Sequence, residues 1–377
     1  MKVVIAIDSF KGSLSSIEAG NAVAHGIKRV YPDADVIVSP IADGGEGLID
    51  AIMLTLNCQK RTVKVHDPLF RTIESHYVIS ENTAFIEMAA ASGLTLLSPE
   101  ERNPMHTSTF GTGELIKDAI DQGIRRFVVG IGGSATNDGG VGMLSALGIE
   151  FLDKSGNIVS PGAKGLENLT RIRFDNACRE LCECTFSVAS DVKNPLCGAN
   201  GCSAIFGPQK GADDEMIEKM DAWLHNYASL TKEYIPSADP NIDGSGAAGG
   251  LGFAFCSFLG ATLVPGIDLI IKETNLEEQV KNADIIITGE GRLDSQSCMG
   301  KAPIGVAKLA KKYGKIVLAF SGSISSDASV CNHHGIDAFF PAVRKPCSLT
   351  EAMNKENAKC NLADTAEQVF KVIKAVK

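Results

Sequence analysis

Apolar runs closed by small or acidic residues punctuate the chain. Val3-Val4-Ile5-Ala6-Ile7 ends at Asp8, Phe127-Val128-Val129 runs into Gly130, and Phe186-Ser187-Val188-Ala189 ends at Ser190-Asp191. Further on, Ile285-Ile286-Ile287 ends at Thr288-Gly289-Glu290, and Ile316-Val317-Leu318-Ala319-Phe320 ends at Ser321-Gly322-Ser323. Unbroken runs of this kind predict strands covered on both faces, as in the middle of a parallel sheet. Between the first two strands, Ser15 and Glu18 have capping-box spacing, and Ile17, Val23, Ala24, Ile27 and Val30 follow a helical stripe that Pro32 stops. Val36–Val38 predicts a second strand, and Ile49, Ile52 and Met53 a second helix. Strand, helix, strand, helix opens a doubly wound α/β sheet.

The texture changes after residue 60. Residues 62–66 and 75–79 alternate as half-exposed antiparallel strands do, and 83–88 follows as a third strand. Residues 213–234 predict a long helix whose stripe of Met216, Met220, Trp223, Leu224 and Tyr227 belongs to a core. Gly244–Gly250 runs directly into Leu251, Phe253 and Phe255, which suits a loop packed tightly against a helix start. Residues 150–185 are less legible. The α/β rhythm then returns, with helices over 302–312 and 349–375 and a short strand at 338–340. The expected fold is therefore α/β with two domains. A discontinuous, Rossmann-like parallel-sheet domain uses both chain ends (1–60 with 266–377), and a mixed α/β domain (61–265) is inserted into it.

A length of 377 residues makes two domains the default. Hydrophobic content of 44% and charged content of 21% are those of an ordinary globular protein. A net charge of −9 argues against nucleic acid or an anionic membrane as the main partner. The first apolar run is too short for a signal peptide and no later run suits a membrane helix, so a cytoplasmic location is expected. Eleven cysteines, an odd number, read as reduced thiols. The cluster from Cys178 to Cys202 has no Cys-x-x-Cys pair and no intervening histidine, so zinc is disfavoured.

Chemistry concentrates where the strands end. Ile131-Gly132-Gly133-Ser134-Ala135-Thr136-Asn137-Asp138-Gly139-Gly140 lies between a strand and a helix. It reads either as an anion cradle of backbone N–H groups or as an ordinary glycine turn. The loops at Asp8-Ser9-Phe10-Lys11, Asp43-Gly44-Gly45-Glu46, Asp191, Glu290–Asp294 and Ser321-Gly322-Ser323 share glycine and carboxylate content. Together they suit a nucleotide with Mg²⁺, which takes one or two carboxylates plus substrate phosphates. Lys11, Lys210, Arg292 and Lys301 could balance phosphate charge. No Walker A, dinucleotide fingerprint or protein-kinase motif set is present.

Many of these segments resemble the type I glycerate kinases of bacteria, in one order over essentially the whole chain. They include Asp8-Ser9-Phe10-Lys11, Ala42–Gly47, Phe85–Leu94, Gly111–Ile116 and the glycine-rich stretch. Farther on come Asp191–Leu196, Phe206–Ala212, Gly246–Gly250, Thr288–Asp294 and Gly300–Ala307. Ile7 and Gly12 stand where the family often has Pro and Glu. The resemblance implies ATP-dependent phosphorylation of D-glycerate with Mg²⁺, in a cleft between two domains. It implies the 2-hydroxyl as acceptor, with the 3-hydroxyl as the competing label. Within that frame Gly132, Gly133, Ser134, Thr136 and Asn137 are assigned to ATP. Asp191 is the first candidate for the base and Asp294 the second, with Lys11 beside them as a catalytic cation. Asp8, Ser9, Arg292 and Lys301 are assigned to the substrate, and Asp43 and Glu290 to the metal. A homo-oligomer is compatible with the sequence. The rival readings are an inactive nucleotide- or sugar-acid-binding regulator and an oxidoreductase on the same framework.

Overall fold

The computed structural model describes residues 1–42, 47–299 and 301–376. Its strands in chain order are β1 (Lys2–Ile7), β2 (Asp35–Val38), β3 (Gln59–His66), β4 (Thr72–Ser80), β5 (Thr83–Glu87), β6 (Arg126–Gly130), β7 (Glu150–Leu152) and β8 (Arg171–Arg173). They continue with β9 (Thr185–Ala189), β10 (Thr262–Val264), β11 (Ile285–Gly289), β12 (Arg292–Leu293), β13 (Ile316–Ser321), β14 (Ser323–Ile324) and β15 (Ala338–Pro341). The chain divides into two compact units. One holds Met1–Asp43, Asp50–Leu56 and Pro265–Lys377; the other holds Gly44–Ile49 and Asn57–Val264.

The first unit is built on a five-stranded sheet in the order β15-β13-β11-β1-β2. Every pairing in it is parallel. Helices cover both faces, which is why β1, β11 and β13 read as unbroken apolar runs. On one face Val3, Ile5, Ile7, Ile287 and Phe320 pack with Val23 and Ile27 of the helix Ser16–Val30, and with Leu362, Ala366 and Phe370 of the helix Lys355–Val376. The helix Ala302–Lys312 packs on β11 and β13 from the other face. Burial of a side chain such as Ile27 or Phe370 contributes about 1.5–3 kcal/mol. The predicted capping box forms: Ser15 Oγ accepts the Glu18 N–H, and the Glu18 carboxylate accepts the Ser15 N–H. Gly26 lets the helices Ser16–Val30 and Lys355–Val376 touch, since a β-carbon there would lie 2.0 Å from the Ala363 carbonyl oxygen.

One helix was expected over 349–375, and the structure breaks it in two. Leu349–Met353 and Lys355–Val376 flank Asn354, whose backbone is not helical (φ −59°, ψ 128°). The Asn354 Oδ1 accepts the N–H groups of Glu356 and Asn357 and so restarts the helix.

The second unit carries a six-stranded mixed sheet, β10-β9-β6-β5-β4-β3. β3, β4 and β5 form the antiparallel part, and β5, β6, β9 and β10 run parallel. The alternation in β3 and β4 therefore marks a sheet with one wet face. In the core Phe127 stacks on Phe186 at 4.8 Å between ring centres. The helix Asp214–Tyr234 contributes Met220, Leu224 and Tyr227 to the interior, while Met216 and Trp223 are half-buried at its border. The poorly legible residues 150–185 hold the short β7–β8 pair, whose strands are too brief to leave a periodic signature.

Candidate active site

In the first unit, β1 pairs with β2 on one side and with β11 on the other. The strand order reverses between β1 and β11, and in open α/β sheets ligands bind beyond the carboxyl ends of strands at such a point. A cavity of about 510 Å³ lies there. It brings together Asp8, Ser9, Lys11, Glu290, Arg292, Asp294 and Lys301, residues that the sequence scatters over nearly three hundred positions.

The loop backbones hold these groups in place. The Asp8 N–H donates to the Gly289 carbonyl, and the Asp8 Oδ1 accepts the Ser9 N–H at 2.7 Å. Asp8 and Glu290 are buried, whereas Arg292 is exposed. β12 and β14 form a short parallel ladder that ties the Arg292 loop to the loop after β13. Ser323 N–H donates to the Gly291 carbonyl, and a β-carbon on Gly322 would lie 2.6 Å from the same oxygen. Asp294 caps the turn that follows it: its Oδ1 accepts N–H groups of Gln296 and Ser297, and its Oδ2 lies 3.7 Å from the Arg292 Nε. Behind this loop the Cys298 and Cys331 sulfurs are 3.4 Å apart, and the Cys331 thiol donates to the Asp294 carbonyl. Burial, and then the neighbouring Cys298 thiol, push the Cys331 thiol up to about 12.

The far side of the cavity is apolar: Ala342, Val343, Leu349, Ala352, Met353 and Ala358, with Asn361 among them. Sequence reasoning missed this wall because it depends on the break at Asn354. The usable signal is Ser348, whose side chain caps the short helix by accepting the Glu351 N–H.

The glycine-rich stretch lies in the second unit, after β6. Its last two glycines serve close packing. β-Carbons on Gly139 and Gly140 would meet Tyr227 Cε1 at 2.8 Å and Ala254 Cβ at 2.4 Å, and one on Gly249 would lie 2.0 Å from the Thr136 carbonyl oxygen. The Gly139 N–H also donates to the Gly249 carbonyl, so the tight loop expected near 244–250 abuts this stretch. Asp138 is buried and accepts N–H groups of Thr109, Gly140 and Gly142 and the Thr109 hydroxyl. The anion at this helix start is thus the protein's own carboxylate. Burial raises its pKa against the pull of those hydrogen bonds.

Lys210 is buried against the same stretch. Its ammonium donates to Ser134 Oγ at 2.8 Å and to the Thr136 carbonyl at 2.6 Å. Burial brings the Lys210 pKa down to about 8. Thr136 and Asn137 are fully enclosed, and the Asn137 amide donates to Ser203 Oγ. Of the five residues assigned to ATP, Gly132 and Gly133 leave backbone most open to solvent, and Ser134 is engaged by Lys210.

Asp191 is exposed just beyond β9, next to β6 in the sheet. Glu87, at the end of β5, accepts the N–H groups of Gly47 and Ile49 and fixes the start of the helix Leu48–Thr55. No spacing in the sequence points to that role. Asp43 lies outside the described residues. No described helix is long and apolar enough to cross a membrane.

A profile of the glycerate kinase family matches residues 3–374. The chain is 45% identical to a glycerate kinase of Halalkalibacterium halodurans over 94% of this chain and 93% of that one. It is 46% identical to a glycerate 2-kinase of Escherichia coli over 93% of each chain. A crystal structure from Salmonella typhimurium LT2, provisionally assigned as glycerate kinase 2, superposes with a TM-score of 0.89 at 44% identity, covering 100% of this chain and 98% of that one.

Proposed function

The chain belongs to the glycerate kinase family and is a glycerate kinase, and we propose that it transfers the γ-phosphoryl group of ATP to the 2-hydroxyl of D-glycerate with the help of Mg²⁺. The observation that carries this reading is the cavity at the switch point, where three carboxylates and three cations line one space of about 510 Å³. Phosphoryl transfer needs positioning and charge neutralisation more than covalent chemistry, and this set supplies both. The 2-position draws support from the Escherichia coli relative, which is named a glycerate 2-kinase.

Lys11 and Arg292 neutralise charge on the transferring group, and Lys301 and Ser9 hold the glycerate carboxylate and hydroxyls. Asp191 accepts the proton of the attacking hydroxyl; Asp294, already engaged with its own turn and Arg292, positions that arginine. Among the described residues no three His, Cys, Asp or Glu side chains gather closely enough to hold an ion alone. Mg²⁺ normally completes its shell with substrate oxygens and water, so one or two carboxylates of the protein suffice. Asp8 and Glu290, hard oxygen donors in the same cavity, would hold it, with Asp43 as the further assigned ligand. Once bound it would screen the charge of the triphosphate. The Gly132–Gly133 backbone remains assigned to a phosphate of the donor.

Phosphorus NMR of a reaction with ATP, Mg²⁺ and D-glycerate tests the reading. A 2-phosphoglycerate resonance is expected. A product phosphorylated at the 3-hydroxyl, or an ATP signal unchanged beside turnover with another donor, would overturn it. Asp191→Asn is expected to lower kcat by about a hundredfold or more and to remove the acidic limb of the pH profile, which a group that must be deprotonated to act produces. Unchanged kcat and an unchanged profile would take Asp191 out of the role of base.

A further inference from the structure

The apolar wall of the first unit's cavity has no task in handling a three-carbon acid or a phosphate. Leu349 is 75% exposed and Met353 37% exposed, yet both line the cavity. Such side chains at the rim of a polar site call for an apolar partner. The wall is also held firmly. The short helix Leu349–Met353 is fixed between the Ser348 cap and the break at Asn354. Met353 lies against Gly12, where a β-carbon would come within 2.8 Å of its Cε, so the wall abuts the loop that carries Asp8 and Lys11. Asn361 lines the same space, and its amide makes no hydrogen bond to any described residue, which leaves donors and an acceptor for a ligand.

The cavity's volume falls in the range of about 300–1,000 Å³ that accommodates drug-sized ligands. An elongated ligand with an anionic end and a flat, weakly polar end matches the two walls. We infer that the first unit holds the purine base of the phosphoryl donor on the shelf of Leu349 and Met353, its edge read by Asn361, with the phosphates leading from it toward Lys11 and Arg292. A thioether and a branched aliphatic side chain make favourable contacts with an aromatic ring, and an asparagine amide can pair with both the N6 and N7 positions of adenine. The inference rests on the reading of ATP as donor and adds to it the location of the base and the source of base selectivity.

The experiment compares binding of a non-hydrolysable ATP analogue and of inorganic tripolyphosphate by calorimetry, in wild type and in a Leu349→Ser/Met353→Ser double variant. Both side chains are exposed, so folding is expected to be unaffected, and thermal unfolding checks this. The analogue should weaken by about tenfold or more while tripolyphosphate binding and the KM for glycerate stay within about twofold. In a second variant, Asn361→Asp, the ratio of kcat/KM for ATP to that for GTP should fall by about tenfold or more, because a carboxylate accepts from guanine but cannot donate to adenine N7. Unchanged analogue affinity in the double variant, or equal losses for analogue and tripolyphosphate, overturns the shelf while ATP turnover by wild type still stands. A wild type that neither binds the analogue nor turns over ATP overturns the donor reading and the shelf with it.

Discussion

Replacing Lys210 by methionine tests whether the second unit carries an ammonium group in its interior at an energetic cost. Lys210 is 1% exposed, and burial lowers its pKa from 10.5 to about 8. Hydrogen bonds to Ser134 Oγ and the Thr136 carbonyl recover part of the cost of leaving water, but not all of it. Because the folded pKa lies below the unfolded one, the folded protein gives up this proton first as pH rises. Stability is therefore level below about pH 8, rises between about pH 8 and 10.5, and levels again above. A tenfold change in proton affinity is worth about 1.4 kcal/mol, so the full effect is about 3 kcal/mol, of which about 2–3 kcal/mol is realised between pH 7 and pH 10. Methionine has a similar volume and no proton to lose. The lost hydrogen bonds add a constant cost of about 1–3 kcal/mol. The stability of wild type minus that of Lys210→Met should thus grow by about 2–3 kcal/mol from pH 7 to pH 10. Urea unfolding followed by tryptophan fluorescence measures it, since the single tryptophan, Trp223, lies on the helix Asp214–Tyr234 in the same unit. Titrations common to both proteins cancel in the difference, and Cys202, whose thiol burial pushes up to about 11, titrates above the window. Parallel pH profiles for the two proteins would refute the reasoning.

Two further changes probe the frame around the site. Asp138→Ala leaves the N–H groups of Thr109, Gly140 and Gly142 buried without their acceptor, and should cost about 3–5 kcal/mol by the same fluorescence assay; a loss below about 1 kcal/mol would show that water enters and replaces the carboxylate. Glu18, whose pKa its cap to Ser15 and then Lys359 lower to about 2, stabilises the first unit above its ordinary value of 4.5, and this contribution fades as pH falls toward 2. Water screens this largely exposed pair, so Glu18→Gln should cost only about 0.5–1 kcal/mol at pH 7 and less at pH 3, read as urea midpoints by circular dichroism; a cost that grows on acidification would contradict the assignment.

The first unit's frame was legible because its signals are local. The runs at β1, β11 and β13 and the Ser15–Glu18 cap each announce an element within a few residues. The same is true of the polar half of the cavity, since a parallel sheet brings the ends of β1 and β11 together whatever their separation in sequence. The functions of Asp138 and Lys210 were not legible, because both depend on what surrounds them in three dimensions. A glycine followed by an aspartate looks the same whether its amides await a phosphate or already serve a side chain. The shelf of Leu349 and Met353 was hidden for a different reason: the apolar spacing of a helix continues through Asn354, and only a side-chain cap interrupts it.

The pairing of β1 with β11 has a consequence during synthesis. β1 and β2 leave the ribosome well before β11, the other neighbour of β1, which begins at Ile285, and before the covering helix Lys355–Val376. At about 5–20 residues per second, the interval between β2 and β11 is on the order of 10–50 seconds. Throughout that time β1 lacks its neighbour β11 and the stripe of Ser16–Val30 lacks the helix Lys355–Val376, while Asn57–Val264, already contiguous, can complete its own core. The segment made before the insertion is thus satisfied only after it, and the nascent chain's exposure to chaperones and to aggregation is set by the length of the insertion.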